Sequence, residues 1–515
     1  MSAAERSLTH RAIGGALWMT SGKLAYAVMQ LGVLAVLGRL LAPADFGVLS
    51  AALVVIAFSA ILSQVGLGPA LVQRPELEPR HIQTALAGAI GLGVLLAAGT
   101  WSLAPFAARF FDSQPVQPVL RALALLFPLS GLGTVAESLA RRDLQFRWLA
   151  RLDVVCYTAG YGLVALPLAF TGYGVWALVA GEIAESSLRT VLLLDRFRPS
   201  LRHWPERRAF GELMYFGGGF TLAKVANFFA VRGDNLMVGH LLGPAALGLY
   251  GRAYQLMSAP AQGLGTILDQ VLFASMARVQ TEVRRVRAAF RRGIAVMAVL
   301  IMPATGIAVV LGPEIIRVLL GPRWDAVVPP FRILALGMLF QNNSKLGDSL
   351  ARALGAVYRR AWRQVLYAAL VVSGAYIGQR WDIVGVAWGV LLAITVNFLM
   401  MTQLSLRLSG MSWAELVEAH LPGVRVTLAS TLLVWGSAVA LRAWRLPAAL
   451  ILAGSLGTAV LGTLAVVRWQ PRRFLGGDAL FMLEKLQAFL PARLRPGVPR
   501  KPALPQPAGS TGVAQ

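Results

Sequence analysis

Long apolar segments recur along almost the whole chain, and they constrain its fold more than any other feature. Each is roughly 18–30 residues long, which is enough to cross a hydrocarbon core about 30 Å thick as a helix. The pattern therefore predicts an all-α integral membrane protein with about 14 transmembrane helices. The segments lie near 12–38, 46–73, 83–108, 118–140, 152–170, 174–194, 213–240, 246–276, 290–311, 327–350, 361–378, 383–407, 421–441 and 447–467.

Composition supports a membrane protein and argues against a nucleic-acid partner. Of the 515 residues, 57% are hydrophobic and only 14% are charged, whereas soluble domains carry about a quarter charged residues. The net charge of +24 comes mostly from arginines in short connections between apolar segments. This placement is typical of loops beside an anionic lipid leaflet. The single cysteine, Cys156, excludes a disulfide framework and a cysteine metal site.

Arginine clusters alternate with arginine-poor connections, and this alternation predicts the orientation. Clusters such as 141–151, 196–208 and 278–292 fall in every second connection, and the opposite connections carry single arginines. The positive-inside rule places the clusters in the cytoplasm, so we expect both termini to be cytoplasmic. The first apolar segment is too long for a cleavable signal and is expected to remain as a membrane helix.

Two stretches of the chain are related as a repeat. The stretches 40–53 and 241–254 share a Leu-Leu pair, a Pro, an Ala and a Gly at a constant separation of 201 positions. A duplicated unit of about 200 residues is half of a protein and not a solenoid repeat. Because each half would hold six helices, the halves are expected to be parallel, around a central cavity and an axis along the membrane normal.

The repeat predicts an organisation in five parts. Two six-helix bundles are followed by two additional helices and a basic, partly disordered tail, and both ends are cytoplasmic. The predicted parts are the N-terminus 1–11, the first bundle 12–200, the second bundle 211–407, the additional helices 421–467 and the tail 468–515.

Charged side chains inside apolar segments indicate a candidate binding site. A charge at the bilayer centre costs about 2.5–3.5 kcal/mol, so such residues normally face a protein interior or a watery cavity. Lys23 and Lys224 are 201 positions apart and predict a basic cavity on the pseudo-twofold axis. With polar residues on their helical faces and on the next helix, the candidate substrate-binding set is Lys23, Tyr26, Lys224, Asn227, Asp234, Arg252 and Gln255.

Several of these charges have simpler alternative roles. Asp234 could pair with Arg232 at the end of its helix, and Lys345 lies nearer the cytoplasm, where its side chain could reach the interface. The spacing of Glu137 with Arg141 and of Asp348 with Arg352 predicts i,i+4 salt bridges. Three residues on one helical face could neutralise one another or relay protons: Glu182, Glu185 and Arg189.

The chain resembles the polysaccharide transporter family of the multidrug/oligosaccharidyl-lipid/polysaccharide exporter superfamily. In the first half the similarity lies in the segments 38–47 and 66–73, with His81 following. In the second half it lies in the segments 234–244 and 247–250, with Pro260 following. Together these motifs extend the resemblance over about residues 10–410.

The resemblance implies a flippase that moves an undecaprenyl-diphosphate-linked oligosaccharide to the outer leaflet of the bacterial inner membrane by alternating access. Basic residues in the cavity would bind the diphosphate, and a polysaccharide polymerase or export machinery could act beside the protein. No cofactor or metal is expected, and energy would come from a proton or sodium gradient or from substrate flux. The alternative is an ion-coupled multidrug antiporter, which would present unpaired carboxylates. An enzyme is not expected, because every predicted outer loop is short.

Overall fold

The computed structural model describes residues 25–63, 71, 77–197, 221–470, 474–478 and 480. Within these ranges every regular element is a helix, which confirms the predicted all-α membrane class. The N-terminal end with Lys23, the stretch 198–220 and most of the tail lie outside the described residues. The five predicted parts therefore stay a prediction.

Seven helices precede the undescribed stretch 198–220. They are α1 Ala25–Leu40, α2 Pro43–Ser63, α3 Pro79–Phe110, α4 Val116–Leu123, α5 Leu126–Arg142, α6 Phe146–Phe170 and α7 Val175–Arg196. Eight more follow and complete the predicted second bundle. They are α8 Thr221–Leu241, α9 Gly243–Arg278, α10 Val283–Val310, α11 Gly312–Leu319, α12 Val328–Leu336, α13 Met338–Ala353, α14 Val357–Gly378 and α15 Asp382–Ser409. The last two long helices are α16 Trp413–Ala443 and α17 Ala448–Trp469.

Eight segments of the described chain are long and apolar enough to cross a membrane. Helices α7 and α8 do not belong to this set, because charged residues interrupt them at 182, 185 and 189 and at 224, 232 and 234. The predicted number of 14 crossings therefore stays a prediction. What is established is a multi-pass bundle of long apolar helices.

Two predicted helices are broken, at corresponding places in the two halves. The segment predicted near 118–140 divides into α4 and α5, and the segment near 327–350 divides into α12 and α13. Leu125 and Leu336 lie at these breaks, 211 positions apart, and they are 52% and 43% exposed. The second break is followed by Gly337. A Cβ atom there would lie only 3.2 Å from a methyl group of Leu391, so a larger residue would be crowded at this position.

Close helix contacts through glycine hold the bundle together. In α6 the segment Thr158–Ala165 is a π-helix, a form often found at functional positions. There, a Cβ atom at Gly160 would lie 2.6 Å from the carbonyl oxygen of Gly181 in α7. Helix α16 packs closely along α10, where a Cβ atom at Gly423 would lie 2.7 Å from the backbone of Ala298.

Candidate functional site

A polar cavity of about 160 Å³ lies among five helices that follow residue 220. Helices α8, α9, α13, α14 and α15 surround it. The apolar lining is limited to Ala230, Val231, Ile394 and Met401. The polar lining consists of Asn227, Tyr254, Gln341, Ser344, Lys345, Asp348, Arg360, Gln364, Tyr367 and Asn397. Polar groups between membrane helices normally face a protein interior, where they pair with one another, or a water-filled cavity, and they mark candidate substrate pathways.

The polar face of α13 builds one wall of this cavity. Gln341, Ser344, Lys345 and Asp348 recur at intervals of three and four residues, so they share one side of the helix. The apolar side chains of Met338, Leu346 and Leu350 are buried elsewhere in the bundle. The helix is amphipathic because one side packs in the protein core and the other faces the cavity.

Amide and hydroxyl groups connect the walls of the cavity. Gln341 Nε2 donates to the Tyr254 hydroxyl at 3.1 Å, which joins α13 to α9. Gln364 Nε2 donates to Asn227 Oδ1 at 3.4 Å, which joins α14 to α8. The buried Gln341 Oε1 finds no donor within the described part of the chain. Because a buried acceptor is normally satisfied, this oxygen is an unsatisfied polar group in the wall of the cavity.

Charged groups lie at one side of the same cavity. Asp348 accepts from Arg352 at 3.1 Å, the predicted i,i+4 pair, and also from Arg360 of α14. Lys345 is exposed and lines the cavity beside them. The cavity therefore presents one carboxylate and two cations along its wall, so its charge balance is positive.

The predicted candidate residues do not form one group in the structure. Asn227 lines the cavity, and Lys224 lies three residues before it on α8, outside the lining set. Lys23 lies outside the described residues. The two cations of the cavity are Lys345 and Arg360, and both belong to the second half.

Hydrogen bonds inside the protein hold the side chain of Asp234. Its side chain is buried, and it accepts from the Tyr250 hydroxyl at 2.8 Å and from the Asn235 backbone at 2.7 Å. The bond from Tyr250 ties α8 to α9. Asp234 is therefore held by Tyr250 and Asn235 and is not part of the cavity lining, while Arg232 is exposed.

Arg252, Gln255 and Tyr26 contact aromatic or polar neighbours outside the cavity. Arg252 donates to Gln255, and its guanidinium lies 4.8 Å from the centre of the Phe46 ring of α2. Tyr26 packs edge-on against Tyr157 at 5.0 Å between ring centres. Arg252 and Gln255 contact each other, and both Tyr26 and Arg252 lie near Tyr157, so the structure brings these predicted residues close to one another but outside the cavity that Asn227 lines.

A second polar cluster lies between α6 and α7 in the first half. The Tyr161 hydroxyl donates to Glu182 at 2.6 Å. Arg189 pairs with Asp153 and lies 3.4 Å from Glu137, which also pairs with Arg141 at 2.6 Å. The predicted Glu137–Arg141 salt bridge is confirmed. Arg189 is bound to Asp153 and Glu137, on α6 and α5.

Sequence reasoning missed Gln341 and Arg360 as cavity residues, and for Lys345 it offered an interfacial position as the simpler alternative to a functional role. The available signal was the three- and four-residue spacing of polar side chains after residue 340. That spacing reveals an amphipathic helix, but it does not tell whether the polar side faces a cavity or the cytoplasm.

Comparison with known sequences identifies the family. The family described as "Polysaccharide biosynthesis protein" matches residues 36–329, more than half of the chain. The lipopolysaccharide biosynthesis protein WzxC of Escherichia coli is 24% identical over 399 residues, 76% of this chain and 80% of that protein. The teichuronic acid biosynthesis protein TuaB of Bacillus subtilis is 23% identical over 464 residues, 88% of this chain and 95% of that protein.

Solved structures show the same fold. The lipid II flippase MurJ in an inward closed conformation superimposes with a TM-score of 0.71 at 10% identity, over 91% of this chain and 99% of that one. An inward-facing multidrug transporter of the MATE family of the MOP superfamily gives 0.60 at 14% identity, over 76% and 98%. The resemblance to polysaccharide transporters is confirmed, and the chain belongs to the polysaccharide biosynthesis protein family as a multi-pass membrane protein with the fold of MOP transporters.

Proposed function

We propose that the protein is a flippase that moves an undecaprenyl-diphosphate-linked oligosaccharide from the cytoplasmic to the outer leaflet by alternating access. The observation that carries this proposal is the polar cavity among α8, α9, α13, α14 and α15. It combines uncharged hydrogen-bonding groups with a pair of cations, and a sugar chain with a diphosphate needs both.

The uncharged side chains are suited to sugar hydroxyls. Gln341 offers a buried acceptor without a donor in the described chain, and Asn227, Gln364 and Asn397 add amides that can donate and accept. We assign Lys345 and Arg360 to the diphosphate, because cationic side chains form charge-assisted hydrogen bonds with phosphate oxygens. Lys23 and Lys224 remain candidates for guiding the headgroup into the cavity.

The proposed orientation in the membrane follows from the distribution of arginine along the chain. The arginine asymmetry supports a position in the bacterial inner membrane with both termini in the cytoplasm. We propose that the protein has no catalytic activity of its own, takes its energy from a proton or sodium gradient or from substrate flux, and hands its product to a polymerase or export machinery.

The proposal is tested by reconstitution into liposomes with fluorescent prenyl-diphosphate oligosaccharides. A quencher that cannot cross the bilayer reports the fraction of probe in each leaflet. We expect the probe to redistribute between leaflets only when intact protein is present. Absence of redistribution for every glycan in a panel that spans several sugar types would contradict the proposal.

The carboxylates of the first half favour a second candidate, an ion-coupled antiporter of small cations. Glu182 and Glu185 lie one turn apart on α7, and Glu182 accepts from Tyr161 inside the bundle. In the same liposomes, an imposed proton or sodium gradient that drives ethidium movement, with no glycolipid movement, would favour the antiporter.

A further inference from the structure

Three arginines gather where α14 begins and α15 ends, at the side of the membrane that the arginine pattern predicts to be cytoplasmic. Arg363 lies in the second turn of α14, and Arg359 and Arg407 lie close enough to repel it electrostatically. We call these three residues the arginine cluster. None of them lines the polar cavity. Within the described chain no carboxylate pairs with any of them, so the cluster carries three positive charges without a negative counterpart.

Other arginines at this end of the second half are compensated by carboxylates. Asp348 pairs with Arg352 at 3.1 Å and with Arg360. Asp478, which follows α17, lies 3.0 Å from Arg291 at the start of α10. Arginine at the cytoplasmic end of a helix is by itself a general feature of membrane proteins. What distinguishes the arginine cluster is that it lacks the carboxylates that its neighbours have.

The side chain of Arg363 is built into the contact between α14 and α15. It is only 6% exposed, its Nε donates to the carbonyl oxygen of Met400 at 3.1 Å, and its Nη1 donates to the carbonyl oxygen of Arg359. Its guanidinium carbon lies 4.5 Å from the ring centre of Trp362. The remaining Nη2 has no hydrogen-bond partner in the part of the chain that the structure describes. Because a buried charge is costly unless it is paired, an anion from outside the chain is expected here.

Exposed aromatic side chains indicate the depth of the arginine cluster in the membrane. Tyr358 and Trp362 lie one turn apart on α14, and both are exposed on the outside of the bundle. Tyrosine and tryptophan concentrate at the level of the lipid headgroups. Since Arg359 follows Tyr358 and Arg363 follows Trp362, the guanidinium groups lie near the level of the lipid phosphates.

We propose that the arginine cluster binds the phosphate of an anionic glycerophospholipid, such as phosphatidylglycerol, from the leaflet predicted to be cytoplasmic. Basic pockets between membrane helices on this side are suited to anionic headgroups. Guanidinium groups form charge-assisted hydrogen bonds with phosphate oxygens. The headgroup of phosphatidylcholine carries a cation of its own and is disfavoured by three positive charges. The site lies outside the polar cavity, so this inference does not depend on the proposed function.

Helix α14 carries cavity residues on a neighbouring face. Arg360, Gln364 and Tyr367 line the cavity and recur at intervals of four and three residues. Arg359 and Arg363 each precede one of them by one position, which is about 100° around the helix. A phospholipid on the arginine cluster therefore neutralises the outer side of the helix whose inner side forms the cavity, without entering the cavity.

Native mass spectrometry of the full-length protein in detergent, titrated with phosphatidylglycerol, tests the proposal. We expect the wild-type protein to bind phosphatidylglycerol more tightly than phosphatidylcholine. The double variant Arg359→Gln with Arg407→Gln changes two exposed side chains and leaves the contacts of Arg363 in place. It should bind phosphatidylglycerol about tenfold more weakly, as expected for lost charged contacts. Arg278→Gln with Arg284→Gln removes the same charge at exposed positions of the same side and should leave the affinity unchanged.

Two results of this titration would overturn the proposal. One is equal affinity for phosphatidylglycerol in the wild-type protein and in the Arg359→Gln, Arg407→Gln double variant. The other is equal affinity of the wild-type protein for phosphatidylglycerol and phosphatidylcholine, since a site for an anionic headgroup must distinguish them.

Geranylgeranyl diphosphate is the probe that separates this site from a binding site for a prenyl-diphosphate carrier. The Arg359→Gln, Arg407→Gln double variant should bind it as the wild-type protein does, because Lys345 and Arg360 of the cavity remain. A double variant that loses affinity for geranylgeranyl diphosphate but keeps its affinity for phosphatidylglycerol would overturn the phospholipid assignment. If no form of the protein binds geranylgeranyl diphosphate while the cluster binds phosphatidylglycerol, the phospholipid site is supported and the proposed function is not.

Discussion

At the scale of single residues, Asp234 and Gln341 are both polar groups inside the membrane, but their surroundings differ. Asp234 is buried and accepts bonds from Tyr250 and Asn235. Gln341 donates one bond to Tyr254, and its carbonyl oxygen has no donor in the described residues. A satisfied buried group stabilises the fold, whereas an unsatisfied one at a cavity costs stability and is suited to binding.

Tyr250→Phe should destabilise the protein. The substitution removes the hydroxyl that donates to Asp234 at 2.8 Å and leaves a buried carboxylate short of one donor. A bond to a charged group contributes about 1.5–3 kcal/mol to the free energy of unfolding. Thermal denaturation in detergent measures the effect, and Tyr358→Phe, at a side chain that is 90% exposed, is the control. Equal stability of the two variants would refute a structural role for Asp234.

Gln341→Met should weaken substrate binding with little effect on thermal stability. It removes an unsatisfied buried oxygen and also the Nε2 donor to Tyr254, and these two effects on thermal stability oppose each other, so the net change in stability should be small. Binding of a prenyl-diphosphate oligosaccharide in detergent should weaken by about tenfold, the effect of one lost hydrogen bond. Unchanged affinity together with lower stability would identify Gln341 as a structural residue.

At the scale of helices, α16 packs along α10 over an extended interface, and α17 packs on α16 and on α11. Beyond the packing on α10, Arg442 of α16 forms a two-pronged bond with Glu314 of α11, with both distances at 2.8 Å. The Glu314 side chain is only 7% exposed, and Arg442 is 35% exposed. These two helices have no counterpart in the repeat, so this ion pair is a specific attachment point.

Arg442→Leu should loosen this attachment. It leaves the buried Glu314 carboxylate unpaired, which costs about 3 kcal/mol. The double variant with Glu314→Leu should be more stable than the Arg442→Leu single variant, because a buried apolar pair avoids the stranded charge. Thermal denaturation of the wild-type protein and the three variants in detergent tests this order. A double variant that is less stable than the single one would contradict it.

The helices themselves were largely predictable, because a bilayer demands long apolar segments and the sequence shows them. The breaks before Leu126 and Met338 were not predicted, since each falls within a continuous apolar or mixed segment. Of the candidate site residues, Asn227 lies in the cavity. The contact of Lys345 with a cavity was not predicted, because hydropathy locates a charge along the helix axis but not the neighbour that its face meets.

At the scale of the whole molecule, a duplicated sequence has produced two halves with different surroundings. The contact between α2 and α9 keeps the pseudo-twofold relationship, since Gly47 packs on Pro244 and Gly248 packs on Pro43. The polar interiors differ: the second half carries Lys345 and Arg360 at its cavity, and the first half carries Glu182 and Glu185 between α6 and α7. A symmetric contact between halves with different interiors suits a transporter that binds a large polar substrate mainly in one half.

The most direct test of the central claim is leaflet exchange of a fluorescent prenyl-diphosphate oligosaccharide in liposomes that contain Lys345→Met. This substitution preserves side-chain length and removes one of the two cavity cations. The account predicts that exchange slows by about tenfold, as expected for the loss of one charged contact to phosphate. Lys345→Arg should retain most of the activity, and Arg380→Gln, at an exposed loop position, should match the wild-type protein. Exchange in Lys345→Met at the wild-type rate would contradict a substrate path through the second-half cavity.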